Sequence, residues 1–207
     1  MEKNIKNMSF DGGCLCLDFV NTVYSRKESP MNDYLRSYED VIHFGQRTEI
    51  LSPKKKRHLL DYTANHPEEE KDAFHKIKIA REELYQFFYN ITEGESPTPA
   101  MMDHFNKLLP SALSHLRMKN SNGKIQLAWE EQNDPLLLPL WKVIKSAHDI
   151  LLTESPKRIK SCPRCLWLFL DETKNNGRKW CNSLICGSRD KALRYYYRKK
   201  EEDANDG

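Results

Sequence analysis

Cys162-Pro163-Arg164-Cys165, fifteen intervening residues, and then Cys181-Asn182-Ser183-Leu184-Ile185-Cys186 form two cysteine pairs near the end of a 207-residue chain. Two close pairs at this separation have the spacing of a structural metal site, in which four thiolates hold one zinc ion tetrahedrally and pin two short loops together. Pro163 after the first ligand and Gly187 after the last suit tight turns, with glycine expected to supply a left-handed backbone. Two disulfides or four unrelated buried thiols are the alternatives. Disulfides need an oxidising compartment, and the first 30 residues carry no apolar signal-peptide run, so a cytoplasmic location is expected. An iron site has the same ligand set, but nothing nearby suggests electron transfer.

Outward from the cysteines, charge is unevenly spread. Lys157 to Lys200 holds 13 Lys or Arg against 3 acids, whereas residues 1–156 hold 20 against 23 and the last seven residues hold four acids. The overall +3 therefore conceals a near-neutral body and a concentrated basic end, the layout of a nucleic-acid-binding appendage. With 30% charged residues and no apolar run of about 20 residues, the chain is expected to have no membrane span.

Within the metal module, Trp167-Leu168-Phe169-Leu170 suits a short strand, Asn175-Asn176-Gly177 a turn, and Arg178-Lys179-Trp180 a return strand. Knuckle, hairpin and helix in that order make a treble-clef finger. Ser188 is expected to cap its helix, with Leu193 and one or more of Tyr195, Tyr196 and Tyr197 packed back on the hairpin. Arg189, Lys191, Arg194, Arg198, Lys199 and Lys200 then face outward, with Arg178 and Lys179 in support.

The body reads as mainly helical, with one small β-hairpin. Asp18–Tyr24 is expected to open or sit within a helix, and another helix is expected within Tyr34–Leu51. Ser52-Pro53 opens a third to about Asn65, and Asn65-His66-Pro67 closes it. From Glu68 to Glu93, Phe74, Ile77, Leu84, Phe87, Phe88 and Ile91 make a helical stripe. Thr98-Pro99 starts the next helix, which Pro110 should kink or interrupt. Asn120-Ser121-Asn122-Gly123 sits between two hairpin strands. Asp134-Pro135 caps a last body helix to about Leu152, and Thr153–Pro156 marks a boundary between residues 1–156 and 157–207. Cys14 and Cys16, among apolar neighbours, read as small buried side chains.

Cys162-Pro-Arg-Cys165, Phe169-Leu-Asp171, Arg178-Lys-Trp180-Cys181 and Cys186-Gly187-Ser188-Arg189 resemble the CGNR zinc-finger family of bacterial transcription regulators. Leu17-Asp18-Phe19-Val20-Asn21-Thr22, Tyr38-Glu39-Asp40-Val41 and Ala80-Arg81-Glu82-Glu83-Leu84-Tyr85 resemble the ABATE domain that precedes such fingers. The resemblance implies a helical, sensor-like domain joined to a finger that binds double-stranded DNA. Ser188 stands where the family motif has Asn. The resemblance also implies a small-molecule effector in a crevice faced by Asp18, Asn21 and Thr22; the same residues equally suit caps or bridges between helices.

Three functions are weighed: a zinc-dependent DNA-binding regulator, an adaptor binding RNA or an acidic protein, and an enzyme with a site near Asp18. A four-thiolate zinc is coordinatively closed and leaves no place for an activated water. No phosphate loop, dinucleotide glycine motif, His-Glu-x-x-His or Gly-x-Ser-x-Gly occurs, so no enzyme is expected. A homodimer would let a small finger read two half-sites.

Overall fold

The structure, a computed structural model, describes residues 4–28, 32–130 and 135–205. Among the described residues there are seven α-helices: α1 (Leu15–Val20), α2 (Tyr38–Arg47), α3 (Pro53–Asn65), α4 (Pro67–Thr92), α5 (Pro99–Leu113), α6 (Leu138–Thr153) and α7 (Ser188–Asn205). Two antiparallel hairpins complete it, β1 (Leu116–Ser121) with β2 (Lys124–Trp129), and β3 (Ile159–Ser161) with β4 (Leu168–Leu170). The fold is thus mainly helical with two small hairpins, one in the body and one in the finger.

Local chemistry explains most of these boundaries. The Ser52 and Thr98 side chains each accept a backbone N–H of the first turn, with Pro53 and Pro99 at the first helical position. Three acids, Glu68, Glu69 and Glu70, occupy the first turn of α4, where the helix dipole is positive. Asn122 and Gly123, both at positive φ, make the tight turn between β1 and β2. Pro110 does not interrupt α5: it lies in the last turn, leaving the carbonyl of Asn106 without its usual intrahelical donor, while its own carbonyl still accepts from Ser114 N. The first helix takes in only Asp18–Val20 of the expected Asp18–Tyr24 stretch, starting at Leu15 and ending at Val20 with Asn21 as its cap. Asp134, expected to cap α6, lies outside the described residues; Pro135–Leu137 form a short turn leading into that helix.

The body packs around α4. Ile77, Ala80, Leu84, Phe87 and Phe88 from α4 meet Leu17, Phe19 and Val20 from α1, Tyr38, Val41, Ile42 and Phe44 from α2, and Trp141, Val143 and Ile144 from α6 in one continuous core. Cys16 is buried in it and Cys14 half-buried, their sulfurs 3.6 Å apart. Burial pushes the Cys16 thiol well up, as expected of a packing residue. Arg81, the arginine of the Ala80–Tyr85 motif, is buried and bidentate to Asp33, with both N–O distances 2.8 Å. It ties the segment after α1 to α4.

That core does not stop at Pro156. Ile159, Trp167, Leu168, Phe169, Leu170 and the four finger cysteines belong to the same cluster. The outer edge of β4 is closed by the body: Leu170 N donates to Gly12 O at 2.8 Å, and the Asn21 side chain pairs with both backbone groups of Leu168. An edge strand that would otherwise expose its N–H and C=O groups is thereby completed. Gly13, at φ +83°, brings the chain against Leu170, where a Cβ would lie 3.3 Å from the leucine Cβ. Trp167 Nε1 donates to Val23 O at 2.7 Å, Tyr85 Oη to Leu166 O at 3.0 Å and Arg26 N to Cys165 O at 3.0 Å. The finger is built into the body rather than hung from it.

Candidate metal centre and nucleic-acid interface

The first cysteine pair sits where β3 turns into β4. Cys162 N donates to Trp167 O and Leu166 N to Cys162 O, both at 2.8 Å, and Leu166 takes the left-handed conformation that the sharp reversal needs (φ +60°). The left-handed residue is therefore Leu166 and not Gly187, whose φ is ordinary; Gly187 is small because a Cβ there would lie 3.1 Å from Trp180 Cδ1. The second pair brackets a wide turn, Ser183–Gly187, that leads directly into α7.

Asn182, not Ser188, caps this turn. Its Oδ1 accepts from Leu184 N at 3.0 Å and Ile185 N at 3.1 Å, while its Nδ2 donates to Asp11 Oδ1 at 3.0 Å. Ser188 already has helical angles, φ −64° and ψ −40°. The expected Ser188 cap is thus corrected: the capping residue lies six positions earlier, at the start of the wide turn, where the orphan N–H groups are.

The strand pairing also differs from expectation. Leu168–Leu170 pairs with Ile159–Ser161, and Arg178-Lys179-Trp180 returns without a strand. Asp171 governs that return. Fully buried, it accepts from Lys160 Nζ at 2.6 Å, Thr173 N at 2.9 Å, Thr173 Oγ1 at 2.6 Å and Arg178 N at 2.7 Å. Burial alone would raise its pKa, but the Lys160 ammonium and the donated hydrogen bonds hold it far below the usual carboxylate range.

All four cysteines are buried, and their sulfurs lie within 4.8 Å of one another. Cys165–Cys181, Cys181–Cys186 and Cys186–Cys165 are 3.6, 3.7 and 3.8 Å apart. Zinc–sulfur bonds of about 2.3 Å arranged tetrahedrally require sulfur separations of about 3.8 Å, so the donor set fits zinc. Hydrogen bonding from Cys165, then from Cys181 and Cys186, draws the Cys162 thiol strongly down, whereas hydrogen bonding with Cys162 pushes Cys165 and Cys181 strongly up. The sulfurs compete for charge, and a divalent cation is what allows all four to ionise. Cys162, Cys165, Cys181 and Cys186 form the metal site of this chain.

The basic residues divide into two groups. Arg178 is drawn inward: its guanidinium donates to Trp180 O at 3.0 Å, Leu170 O at 3.2 Å, Asp11 O at 2.8 Å and also to Cys181 O, with its plane near the Phe169 ring. Its donors are spent on holding the finger together. Lys179 is exposed, its ammonium 5.0 Å from the Trp180 ring centre. Arg189, Lys191, Arg194, Arg198, Lys199 and Lys200 all lie exposed on α7. Arg189 Nη1 is 2.9 Å from Tyr24 Oη, and Arg194 pairs with Asp190 one turn earlier.

The tyrosines do not pack back on the hairpin. Tyr195, Tyr196 and Tyr197 are 59, 60 and 54% exposed and Leu193 is exposed beside them, which corrects the expected finger core. The core they were meant to supply comes instead from α1 and α4, so α7 contributes no buried side chain among the described residues.

Asn21 and Thr22 are fully buried and held by internal hydrogen bonds, Asn21 to Leu168 and Thr22 to Phe19 O and Arg81. Asp18 accepts from Gly12 N at 2.8 Å, and burial raises its pKa to about 7. A cavity of about 510 Å³ does open between body and finger, but its walls are other residues, among them Tyr24, Tyr34, Trp167 and Arg189. Sequence signals for these were faint. Arg164 inside the knuckle was legible as a positioned cation and Asn182 as a strong capping residue, but Tyr24 and Tyr34 stand in a segment without periodicity.

A mainly helical body, a buried four-cysteine centre and a basic terminal helix define a zinc-finger protein of regulatory type. Residues 158–199 match the CGNR zinc finger, and residues 13–154 match ABATE, described as a putative stress-induced transcription regulator. The chain belongs to the ABATE family and carries the CGNR finger at its C-terminal end. No curated protein matches it. No helix among the described residues is long and apolar enough to cross a membrane.

Proposed function

We propose that the chain is a zinc-dependent transcription regulator that lays α7 on double-stranded DNA, with residues 157–207 as the DNA-binding part and residues 1–156 as the part that senses a small ligand. The observation that carries this reading is the exposure of α7. The helix starts immediately after the last zinc ligand, commits no described side chain to the core and holds Lys191, Arg194, Arg198, Lys199 and Lys200 in solvent. Eighteen helical residues span about 27 Å, and the major groove accepts an α-helix. Phosphates would be met by these cations and by Arg189 and Lys179, whereas Arg178 supports the finger from within.

Titration of the zinc-loaded chain with duplex DNA at several salt concentrations tests this. With about five phosphates neutralised, log affinity should fall against log salt with a slope of about −4 to −5. Affinity independent of salt, or no binding to any duplex pool, would overturn the proposal.

A second reading rests on the apolar surface beside that helix. Leu184 is 83% exposed and Ile185 is exposed beside it just before α7, and the three tyrosines are exposed farther along that helix, which suits an adaptor gripping an acidic protein or RNA. Competition separates the two: duplex DNA displaced by equal masses of structured RNA or an acidic polypeptide favours the adaptor.

A further inference from the structure

A cavity opens between body and finger among the described residues. At about 510 Å³ it has the volume of a small-molecule site. One wall is the segment after α1, with Tyr24, Glu28 and Tyr34; the other is the finger, with Arg164, Trp167 and Arg189, and its floor adjoins the metal centre through Cys165, Cys181 and Cys186.

Tyr34 shows that the cavity is polar at a defined point. The residue is only 5% exposed, yet its hydroxyl has no hydrogen-bond partner among the described residues. Burial raises its pKa to about 12, and the groups acting on the hydroxyl, Tyr24, Cys165 and Glu28, all line the cavity. The residue lines the cavity, so its hydroxyl is available to donate to a molecule bound there.

Two charges on the walls lack a direct partner, although the Glu28 carboxylate acts on Arg189 through space. Among the described residues, neither the Arg164 guanidinium nor the Glu28 carboxylate has an ion pair or hydrogen bond, whereas Lys27 donates to Pro163 O at 2.6 Å, Arg189 to Tyr24 and Asp11 accepts from Ser9 and Asn182. The free groups are therefore one cation, one anion and one hydroxyl. A simple anion would meet Glu28 and the thiolate centre, and a simple cation would meet Arg164 and Arg189; a molecule bearing both charges satisfies both walls. Trp167 and Tyr24 offer its remainder an aromatic surface.

We infer that this cavity binds a zwitterion of amino-acid type with an apolar or aromatic side chain, its carboxylate on Arg164, its ammonium on Glu28 and a hydrogen bond from Tyr34. This rests on the reading of the chain as a ligand-responsive regulator, and the Tyr24–Arg189 hydrogen bond is the route by which occupancy reaches the first turn of α7. A ligand that recruits Arg189 competes directly with that bond.

Isothermal calorimetry on the zinc-loaded full chain, without DNA, tests the inference. The probes are L-phenylalanine and L-leucine, with phenylacetate lacking the ammonium and phenethylamine lacking the carboxylate. Saturable binding of one zwitterion per chain is expected, weakened about tenfold or more in each single-charge analogue. Arg164→Gln should erase the discrimination against phenethylamine and Glu28→Gln that against phenylacetate. Both side chains are exposed, so neither variant threatens the fold, and Tyr34→Phe should weaken all zwitterions alike. Absence of heat with both amino acids at millimolar concentration, or equal affinity for phenylacetate and L-phenylalanine, overturns the inference. Because no DNA is present, failure of the DNA reading leaves this result untouched, and DNA binding without any ligand heat would remove this inference alone.

Discussion

The Asn21 side chain holds the backbone of Leu168 from both sides, Nδ2 donating to Leu168 O at 2.7 Å and Oδ1 accepting from Leu168 N at 2.8 Å. The cap of α1 thus acts as a one-residue third strand for the finger hairpin, across 147 positions of sequence. Neither partner has water to replace it. Asn21→Ala would leave two backbone groups buried and unpaired, and we expect a loss of about 3 kcal/mol in urea unfolding of the zinc-loaded chain. A loss below about 0.5 kcal/mol would mean that the two units are held together by apolar contact alone.

Arg178 and Lys191 separate support from contact. Arg178→Ala removes the donors of four backbone carbonyls and should lower stability by about 2–4 kcal/mol, with weaker zinc retention against a competing chelator. Lys191→Ala, on an exposed face of α7, should leave the thermal midpoint unchanged and reduce the magnitude of the salt slope for DNA by about one. The reverse pattern would place Arg178 on the DNA.

Zinc removal should be felt far from the zinc. Structural sites of this kind contribute on the order of 10 kcal/mol, and the four cysteines share one core with α1 and α4. Cys181→Ser, or chelation of the wild type, is therefore expected to shift a single calorimetric transition downward for the whole chain. Two transitions, the upper one unchanged, would show that residues 1–156 fold without the finger.

What the sequence reveals and what it hides follow from range. The Ser52 and Thr98 caps, the Asn122-Gly123 turn and the cysteine spacing are contained within a few residues each, and the structure has them where local chemistry puts them. The inward hydrogen bonds of Arg178, the helical angles of Ser188 and the exposure of the three tyrosines are hidden in the sequence because they depend on a body that reaches the finger from residues 11–26. Once Gly12 and Asn21 complete β4 and Trp167 is seated against Val23, the finger needs no tyrosine core. Arg178 turns inward because Asp11 O and Cys181 O both lie within its reach. The cavity was equally hidden, since its walls meet only when the segment after α1 lies against the knuckle.

Asp18 sets a pH dependence of its own. Burial raises its pKa from 3.8 to about 7, against a lowering by the Gly12 N–H, a further raising by Asp11 and a lowering by Arg178. Since the folded value lies above the unfolded one, the folded chain binds more protons between these limits, and stability from this group is present below about pH 4 and lost as pH rises to about 7. Asp18→Asn retains an oxygen to accept from Gly12 and has no charge to desolvate. At pH 8 the variant should therefore be more stable than the wild type by up to about 4 kcal/mol, and the difference should shrink steadily toward pH 4. Taking the difference between the two chains cancels the proton dependence of the zinc thiolates, which both share. A difference that stays flat from pH 4 to 8, read from urea midpoints at matched zinc loading, would show that Asp18 ionises as freely in the folded chain as in the unfolded one.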